Sequence, residues 1–259
     1  MLKKIIATAS AVFIIAGCMT GCAETNTVHS SKDLEDKTIG VQLGTTGEIL
    51  AADIPGAKIE KYNSGEDAVK NLREGNIDAV IIDSDPARVY AEKNDDIQVL
   101  DDILAKEDYA IAVALDNSAL QGEINSALAE LKSDGTIDRI IGNYIGSDKG
   151  NSPYTSPAGT DRSKGTLTMA TNAEFPPYES LDTETVVGID ADIMQAICDK
   201  LGYELKIKDM AFSAVLSAVE SGEADVAMSG ITVTEERKKQ VLFCDPYTTS
   251  TQVIITRKD

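Results

Sequence analysis

Tryptophan is absent from this 259-residue chain, and all aromatics together make up 5% of it. A small-molecule pocket would therefore be walled by a few of its four Phe and eight Tyr residues. Histidine occurs once, at His29, which excludes a multi-histidine metal centre. In a polar stretch near the N-terminus, His29 is also a poor partner for Ser-His-Asp chemistry. Cysteine is scarce. Beyond Cys18 and Cys22 only Cys198 and Cys244 remain, too far apart in sequence for a disulfide framework or a metal site; both read as small buried hydrophobes. No metal and no cofactor are expected. Basic residues are outnumbered, 24 against 43 acidic, for a net charge of −19. That balance argues against nucleic acid and against a peripheral helix on anionic lipid. Its plainer meaning is solubility. Low-complexity segments and short repeats are lacking too.

What is present begins with a processing signal. Lys3 and Lys4 form a basic start, and Ile5 to Gly17 an apolar stretch too short for a comfortable membrane span. It runs into Ile-Ala-Gly-Cys at 15–18, which resembles a bacterial lipobox and implies cleavage before Cys18 and diacylation of its sulfur. Met-Thr-Gly-Cys at 19–22 is a weaker match that makes Cys22 the alternative, and an ordinary signal peptide with incidental cysteines is the plainer reading. Residues 1–17 are thus expected as a lipoprotein signal peptide and 18–34 as a flexible stalk.

From Lys37 the chain alternates strand and helix. KTIGVQLG reads as a buried strand with a Gly-rich turn, EILAADI as a short helix and KIEKYN as a strand. Ser64 caps the helix EDAVKNLREG with Asp67 three residues on. IDAVIID is an apolar strand, and DPARVYAEKN a helix with Pro86 in its first turn. A second unit starts near Tyr109 with the strand YAIAVAL and the helix SALQGEINSALAELKSDGT. Residues 147–163 are a Gly/Pro/Ser/Thr linker. TLTMATN, IDADIMQAICDKLG, ELKIKDM, SAVLSAVESG and ADVAMSG continue the alternation, followed by a short charged helix TEERKKQV and the strand TQVIIT. This order predicts parallel-rich α/β layers.

Several strings resemble a known family. ATNAEFPPYES (170–180), VGIDADIMQAICDKLG (187–202), DMAFSAVLSAVESGEADVAMSGITVTEERKK (209–239) and VLFCDPYTTSTQVIITRKD (241–259) are similar to the first half of the family 3 solute-binding proteins for polar amino acids. LEDKTIGVQLGTTGE (34–48), DAVKNLREGNIDAVIIDSDPA (67–87) and ALAELKSDGTIDRIIGNYIG (127–146) are similar to the second half. The halves stand in reversed order, so the resemblance implies a circularly permuted chain; an unrelated tandem fragment or a truncated product is the alternative. The implied fold is periplasmic-binding-protein-like II, two α/β lobes with a hinge and an interlobe cleft. Lobe 2 would be 35–106 and lobe 1 would be 107–146 plus 164–259. The 147–163 linker would join the family's usual termini over the surface of lobe 1, and Asp259 would lie near residues 33–38. One crossover near 105–109 would stay covalent and the other would be broken, so the lobes should open more readily than in an unpermuted relative.

The resemblance also implies a function: capture of a free L-amino acid and delivery to an ABC importer permease, by a monomer anchored on the extracellular face of the membrane. An amino acid presents a carboxylate, an ammonium and a side chain. Arginine suits the carboxylate because its planar fork donates two parallel bonds. Arg237 matches that position, with Thr232 and the Gly230 backbone as helpers; by itself it reads as a surface arginine. Asp83, ending IDAVIID, matches the ammonium acceptor, with a helix cap as its plainer role. Asp85 is the better cap. Thr46, with Gly44 and Thr45, would offer donors from lobe 2, and Gln42 points at the same region. Phe175 and Phe212 match two aromatic walls, or plain core. Asn172 matches a position that reads the ligand side chain and is often Asp. A neutral residue there favours a polar, glutamine-like ligand over lysine or arginine. A dehydratase of the same fold, or a ligand-sensing domain, is the competing function. Catalysis would need a positioned acid or base, and no unexplained histidine, glutamate pair or nucleophile stands out, so no catalytic residue is assigned.

Overall fold

A computed structural model describes residues 26–259. The expected signal peptide and the lipidation candidates Cys18 and Cys22 lie outside the described residues. In chain order the elements begin with β1 (Thr38–Gln42), α1 (Thr46–Ala52), β2 (Lys58–Tyr62), α2 (Gly65–Arg73), β3 (Ala79–Asp83), α3 (Ser84–Lys93), β4 (Ile97–Val99) and β5 (Ala105–Tyr109). Then come β6 (Ala112–Ala114), α4 (Ser118–Ser133), α5 (Thr136–Tyr144), β7 (Gly165–Thr171), β8 (Glu174–Phe175), β9 (Glu179–Asp182) and β10 (Thr185–Val187). The last are α6 (Ile189–Leu201), β11 (Tyr203–Asp209), α7 (Phe212–Glu220), β12 (Val226–Ala227), β13 (Val241–Phe243) and β14 (Thr248–Arg257).

Lobe 2 is built on a sheet ordered β2-β1-β3-β14-β4, with β5 also paired to β14. β1, β2 and β3 run parallel, and β14 lies antiparallel to β3. Strand side chains alternate between faces. Ile39, Val41, Ile81 and Ile254 share one face with Val28, Leu34 and Ala51. Val80, Ile82, Val253 and Ile255 share the other with Ala68, Leu72 and Tyr90. Burial on both faces explains why IDAVIID is an unbroken apolar run.

Lobe 1 has a five-stranded sheet, β11-β7-β12-β6-β13, and a small antiparallel sheet β10-β9-β8. Ile124, Leu128, Ile140, Ile193 and Ile197 from α4, α5 and α6 pack with Ile111, Val113, Leu167 and Met169. On the opposite face Val215 and Val219 of α7 meet Ala112, Ala170 and Ala227. The architecture is thus the two-lobed α/β fold expected. Cys198 and Cys244 are both buried and unpaired, and burial pushes each thiol up to about 12.

Four expectations need correction. First, residues 26–34 are not stalk. Val28 and Leu34 are buried in the lobe 2 core, and Ser31 Oγ donates to Asp102 at 2.6 Å. Two apolar side chains in a polar stretch suffice to dock it.

Second, the lobe 1 range cannot run to residue 259. β14 pairs with β5 through Thr248–Gln252 and then with β3 and β4 through Gln252–Arg257. It therefore crosses from lobe 1 into the lobe 2 sheet. Both crossover strands are covalently continuous, which removes the argument for easier opening. Arg257 ends level with the start of β1, with only β3 between them, about 10 Å at ordinary strand spacing.

Third, TEERKKQV forms only a single 3-10 turn over Arg237–Lys239. Its hydrophilic run offers no apolar stripe to dock a longer helix. Fourth, YAIAVAL is not one strand: Tyr109 ends β5, and β6 begins at Ala112 in the other sheet.

The 147–163 segment carries no helix or strand. It is tied to α6: Tyr154 Oη and Arg162 Nη2 donate to Asp199 at 2.9 and 2.6 Å. Burial opposes the Asp199 charge, but bonds from Ser156, Arg162, Tyr154 and Gln195 hold its pKa below the usual value.

Candidate functional site

The lobes meet face to face. Away from the crossover strands, side-chain bonds join them: Gln42 Nε2 to Asn172 Oδ1 (2.9 Å), Arg237 Nη2 to the Gly44 carbonyl (3.1 Å), Tyr178 Oη to Asp85 Oδ2 (2.8 Å) and Tyr90 Oη to the Glu174 carbonyl (3.5 Å). Between them the closed cleft leaves a cavity of only about 10 Å3, lined by Gln42, Thr45, Thr46, Asp83, Phe175, Phe212, Ser229, Gly230, Thr232 and Arg237. Nine of the eleven residues singled out in the sequence border it. Of the other two, Asn172 stands behind Gln42 and Gly44 accepts from Arg237. A larger groove of about 900 Å3 lies between the α2–α3 face and the β8–β9 edge. Its lining mixes both charge signs and includes none of the eleven.

Arg237 enters the cleft from the 3-10 turn of lobe 1. Its Nη1 donates to the Thr232 carbonyl at 2.8 Å, and its guanidinium lies 5.6 Å from the Phe212 ring centroid. Burial lowers its pKa, countered by the charges of Glu107 and Asp83, yet a guanidinium stays protonated throughout the working range. Two of its five N–H donors are engaged within the chain. Thr232 is bridged to Tyr109 on β5, and Gly230 sits at φ +53°. A Cβ on Gly230 would stand 2.6 Å from the Phe175 ring, so glycine lets that backbone meet the aromatic wall. Phe175 itself stacks on Tyr178 at 5.7 Å.

Asp83 ends β3 at the N-cap position of α3, but its side chain makes no capping bond. It accepts from the Tyr109 hydroxyl instead. The cap role weighed in the sequence therefore does not describe it. Nor does it describe Asp85, which pairs with Arg88 and Tyr178. Burial, and then the neighbouring Glu107 charge, pushes Asp83 up to about 8. In the closed cleft it holds a proton at neutral pH.

Thr45 caps α1, accepting from Glu48 N and donating to the Gln42 carbonyl. Its hydroxyl is spent on local structure. Thr46 Oγ1 accepts from Gln252 Nε2 at 3.3 Å and keeps its hydrogen. At the other end of the cavity, Gln42 Nε2 donates to the Asn63 carbonyl and to Asn172, while Asn172 Nδ2 donates to the Met210 carbonyl and to Glu174. The N–H donors of both amides are thus used inside the protein, and Asn172 Oδ1 is taken by Gln42.

Sequence reasoning missed the layer behind these residues. Glu107 Oε2 accepts from Thr232 Oγ1 (2.8 Å) and Gln252 Nε2 (3.1 Å), and Gln252 is fully buried. A glutamine inside the apolar strand TQVIIT was the available signal, since buried polar side chains need partners. Deeper in lobe 1, Ser229 Oγ donates to Glu179 Oε1 at 2.6 Å, and Gly230 N donates to Asp190 Oδ2 at 2.8 Å. Burial and the adjacent Asp190 charge hold Glu179 well above the ordinary glutamate range, and burial raises Asp190 to about 6.

A fixed cation on one lobe, a carboxyl on the other and aromatic walls between them match the two charges of a small zwitterion, which a cavity of about 10 Å3 admits only when the lobes part. Over 105 residues the chain is 38% identical to the arginine-binding extracellular protein ArtP of Bacillus subtilis, covering 40% of this chain and 41% of that one. It is 40% identical over 91 residues to a probable histidine-binding protein of Neisseria gonorrhoeae, covering 35% and 34%. The chain therefore spans less than half the length of these curated relatives. Among solved structures, the arginine-bound domain 1 of TmArgBP is 39% identical over 37% of this chain and 82% of that one, with a TM-score of 0.32. Residues 167–259, a little over a third of the chain, match the model of the bacterial extracellular solute-binding proteins, family 3, and that part of the chain is similar to the family.

Proposed function

We propose that this chain captures a free L-amino acid in the interlobe cleft and hands it to an ABC importer at the membrane. The observation that carries this is the opposition of Arg237, from lobe 1, and Asp83, from lobe 2, across one cavity. Arg237 and the Thr46 hydroxyl hold the α-carboxylate. Asp83 and Thr232 take the α-ammonium. Phe175 and Phe212 flank the side chain, and Gln42 with Asn172 reads its end. With the N–H donors of Gln42 and Asn172 engaged within the protein, this end of the cleft suits a ligand side chain that ends in N–H donors, as in glutamine or arginine. Relatives named for arginine and histidine binding fit that reading. Releasing the ligand from purified protein and identifying it by mass spectrometry tests it; recovery of a chemically altered compound would favour a dehydratase. Competition between glutamine and arginine then settles the side-chain preference, where the neutral Asn172 favours glutamine.

Segment order and the short separation of Arg257 from the start of β1 support a circular permutation whose break lies inside lobe 2, not in a crossover. A chain reconnected there and opened within 147–163 should bind the same ligand with similar affinity. Loss of folding in that variant would count against the permutation. Anchoring through Cys18, on the extracellular face, follows from the lipobox, and the mass of the mature N-terminal peptide checks it.

A further inference from the structure

Glu107 lies on β5, one of the two strands that cross between the lobes, and is 7% exposed. Its Oε2 takes the Thr232 hydroxyl hydrogen at 2.8 Å. A threonine hydroxyl has one hydrogen and two lone pairs. With the hydrogen committed to Glu107, Thr232 Oγ1 meets the cleft as an acceptor only. Thr46 is its opposite: Gln252 Nε2 donates to Thr46 Oγ1 at 3.3 Å and leaves that hydroxyl a hydrogen to give. The same Gln252 nitrogen also donates to Glu107 at 3.1 Å. One amide on the second crossover strand therefore helps sort the cleft into an accepting corner, at Thr232 and Asp83, and a donating side, at Thr46 and Arg237. Glu107 is also close enough to Asp83 and Arg237 for its charge to act on both.

We propose that Glu107 is a specificity-determining positioning residue: it fixes Thr232 as an acceptor and adds negative charge to the Asp83 corner, so that the cleft takes an α-ammonium and rejects the α-hydroxy acid of the same side chain. The proposal rests on the cleft binding a free amino acid. An ammonium brings a positive charge and three hydrogens to a corner made of acceptors. An α-hydroxyl brings one hydrogen and lone pairs of its own, and leaves an acceptor unmet.

Calorimetric titration of the wild-type protein, Glu107→Gln, Glu107→Asp and Thr232→Val tests this. The probes are L-arginine, L-glutamine and the 2-hydroxy acid of each. The wild type is expected to prefer at least one amino acid over its hydroxy acid by about a hundredfold or more. Glu107→Gln, which keeps the shape and removes the charge, should weaken the amino acid by about tenfold and leave the hydroxy acid within about twofold. Glu107→Asp should recover part of the discrimination, and Thr232→Val should lose it as Glu107→Gln does. Equal weakening of both ligand classes would reduce Glu107 to a structural role, and unchanged binding in Glu107→Gln would remove its role altogether. Either outcome overturns this assignment and leaves the amino-acid reading standing. A wild type that binds neither amino acid overturns both. Melting of each variant without ligand separates a misfolded variant from a misassigned one, and Thr232→Val carries the test if Glu107→Gln does not fold.

Discussion

Two pairs of buried acids stand one behind the other in this molecule. Asp83 borders the interlobe cleft, Glu107 lies just behind it, and they are 5% and 7% exposed. Glu179 and Asp190 are enclosed in lobe 1 and wholly buried. Each pair faces the same electrostatic problem, because two adjacent carboxyls in a low-dielectric setting cannot both ionise freely. Their surroundings differ. The front pair has Tyr109, Thr232 and Gln252 as donors and Arg237 close by, and its Asp83 lines the cleft that a parting of the lobes would open to a ligand's ammonium. The rear pair has Ser229, the Gly230 amide and Tyr247 around it, and no cation among its partners. A charge arriving from outside can relieve the front pair. Only a retained proton can relieve the rear one. Glu179 Oε2 and Asp190 Oδ1, which lack any other partner, are the atoms available to share it. The rear pair also shapes the front of the cleft, because Ser229 and Gly230 hang from it and both line the cavity.

Removing the clamp should give the largest effect. Stripping water from a zwitterion is offset only if each charge meets a partner. Arg237→Ala or Asp83→Ala leaves one ligand charge unpaired, at about 2–5 kcal/mol, or roughly 30-fold to several thousand-fold in affinity. Thermal-shift titration with the identified amino acid measures this. Near-normal stabilisation in both variants would show that the front pair does not serve the ligand, and the contrast between the pairs would collapse.

The rear pair makes a prediction about stability rather than affinity. Glu179 and Asp190 both have pKa values raised on folding. The folded state therefore binds more protons than the unfolded one. Their contribution is fully present below the unfolded values near 4, and it is lost as pH rises, through about 6 for Asp190. Melting temperature should fall as pH climbs from about 5 to 8. In Glu179→Gln the amide oxygen still accepts from Ser229 and the amide nitrogen can donate to Asp190, with no titrating proton needed. That variant should melt with a flatter pH dependence and gain most at the alkaline end. An unchanged pH slope would mean that the pair is not what titrates.

The contrast between the pairs also explains what the sequence could reveal. Arg237, Asp83 and the two phenylalanines are legible through the resemblance of the strings that carry them, GITVTEERKK, IDAVIID, ATNAEFPPYES and DMAFSAV, to a known family; by itself Arg237 reads as a surface arginine. The rear layer is not legible that way. Glu179 and Asp190 lie within six residues of exposed chain neighbours such as Thr185, and burial is a property of the assembled lobe. Glu107 alternates with exposed residues along β5, so only the pairing of β5 with β14 reveals that it faces inward. That pairing also decides the lobe boundary. β14 is one continuous ten-residue strand, and its sequence does not mark Gln252 as the residue where pairing passes from β5 to β3.

The smallest expected effect is a fraction of a proton. In the closed cleft burial and the Glu107 charge push Asp83 up to about 8, so around pH 7 the carboxyl is mostly protonated. An ammonium in contact with it favours the carboxylate, so binding should expel that proton. By linkage the affinity should then improve as pH rises from about 6 to 8. Calorimetry near pH 7 in two buffers of different ionisation enthalpy reads the released proton directly as a difference in apparent binding enthalpy. Asp83→Asn, with nothing to titrate, should abolish the difference, and Glu179→Gln should leave it intact because the rear pair never meets the ligand. A buffer-independent enthalpy in the wild type would mean that the lobes part far enough before binding for water to restore Asp83 to an ordinary carboxylate. The raised value would then belong to the closed form alone.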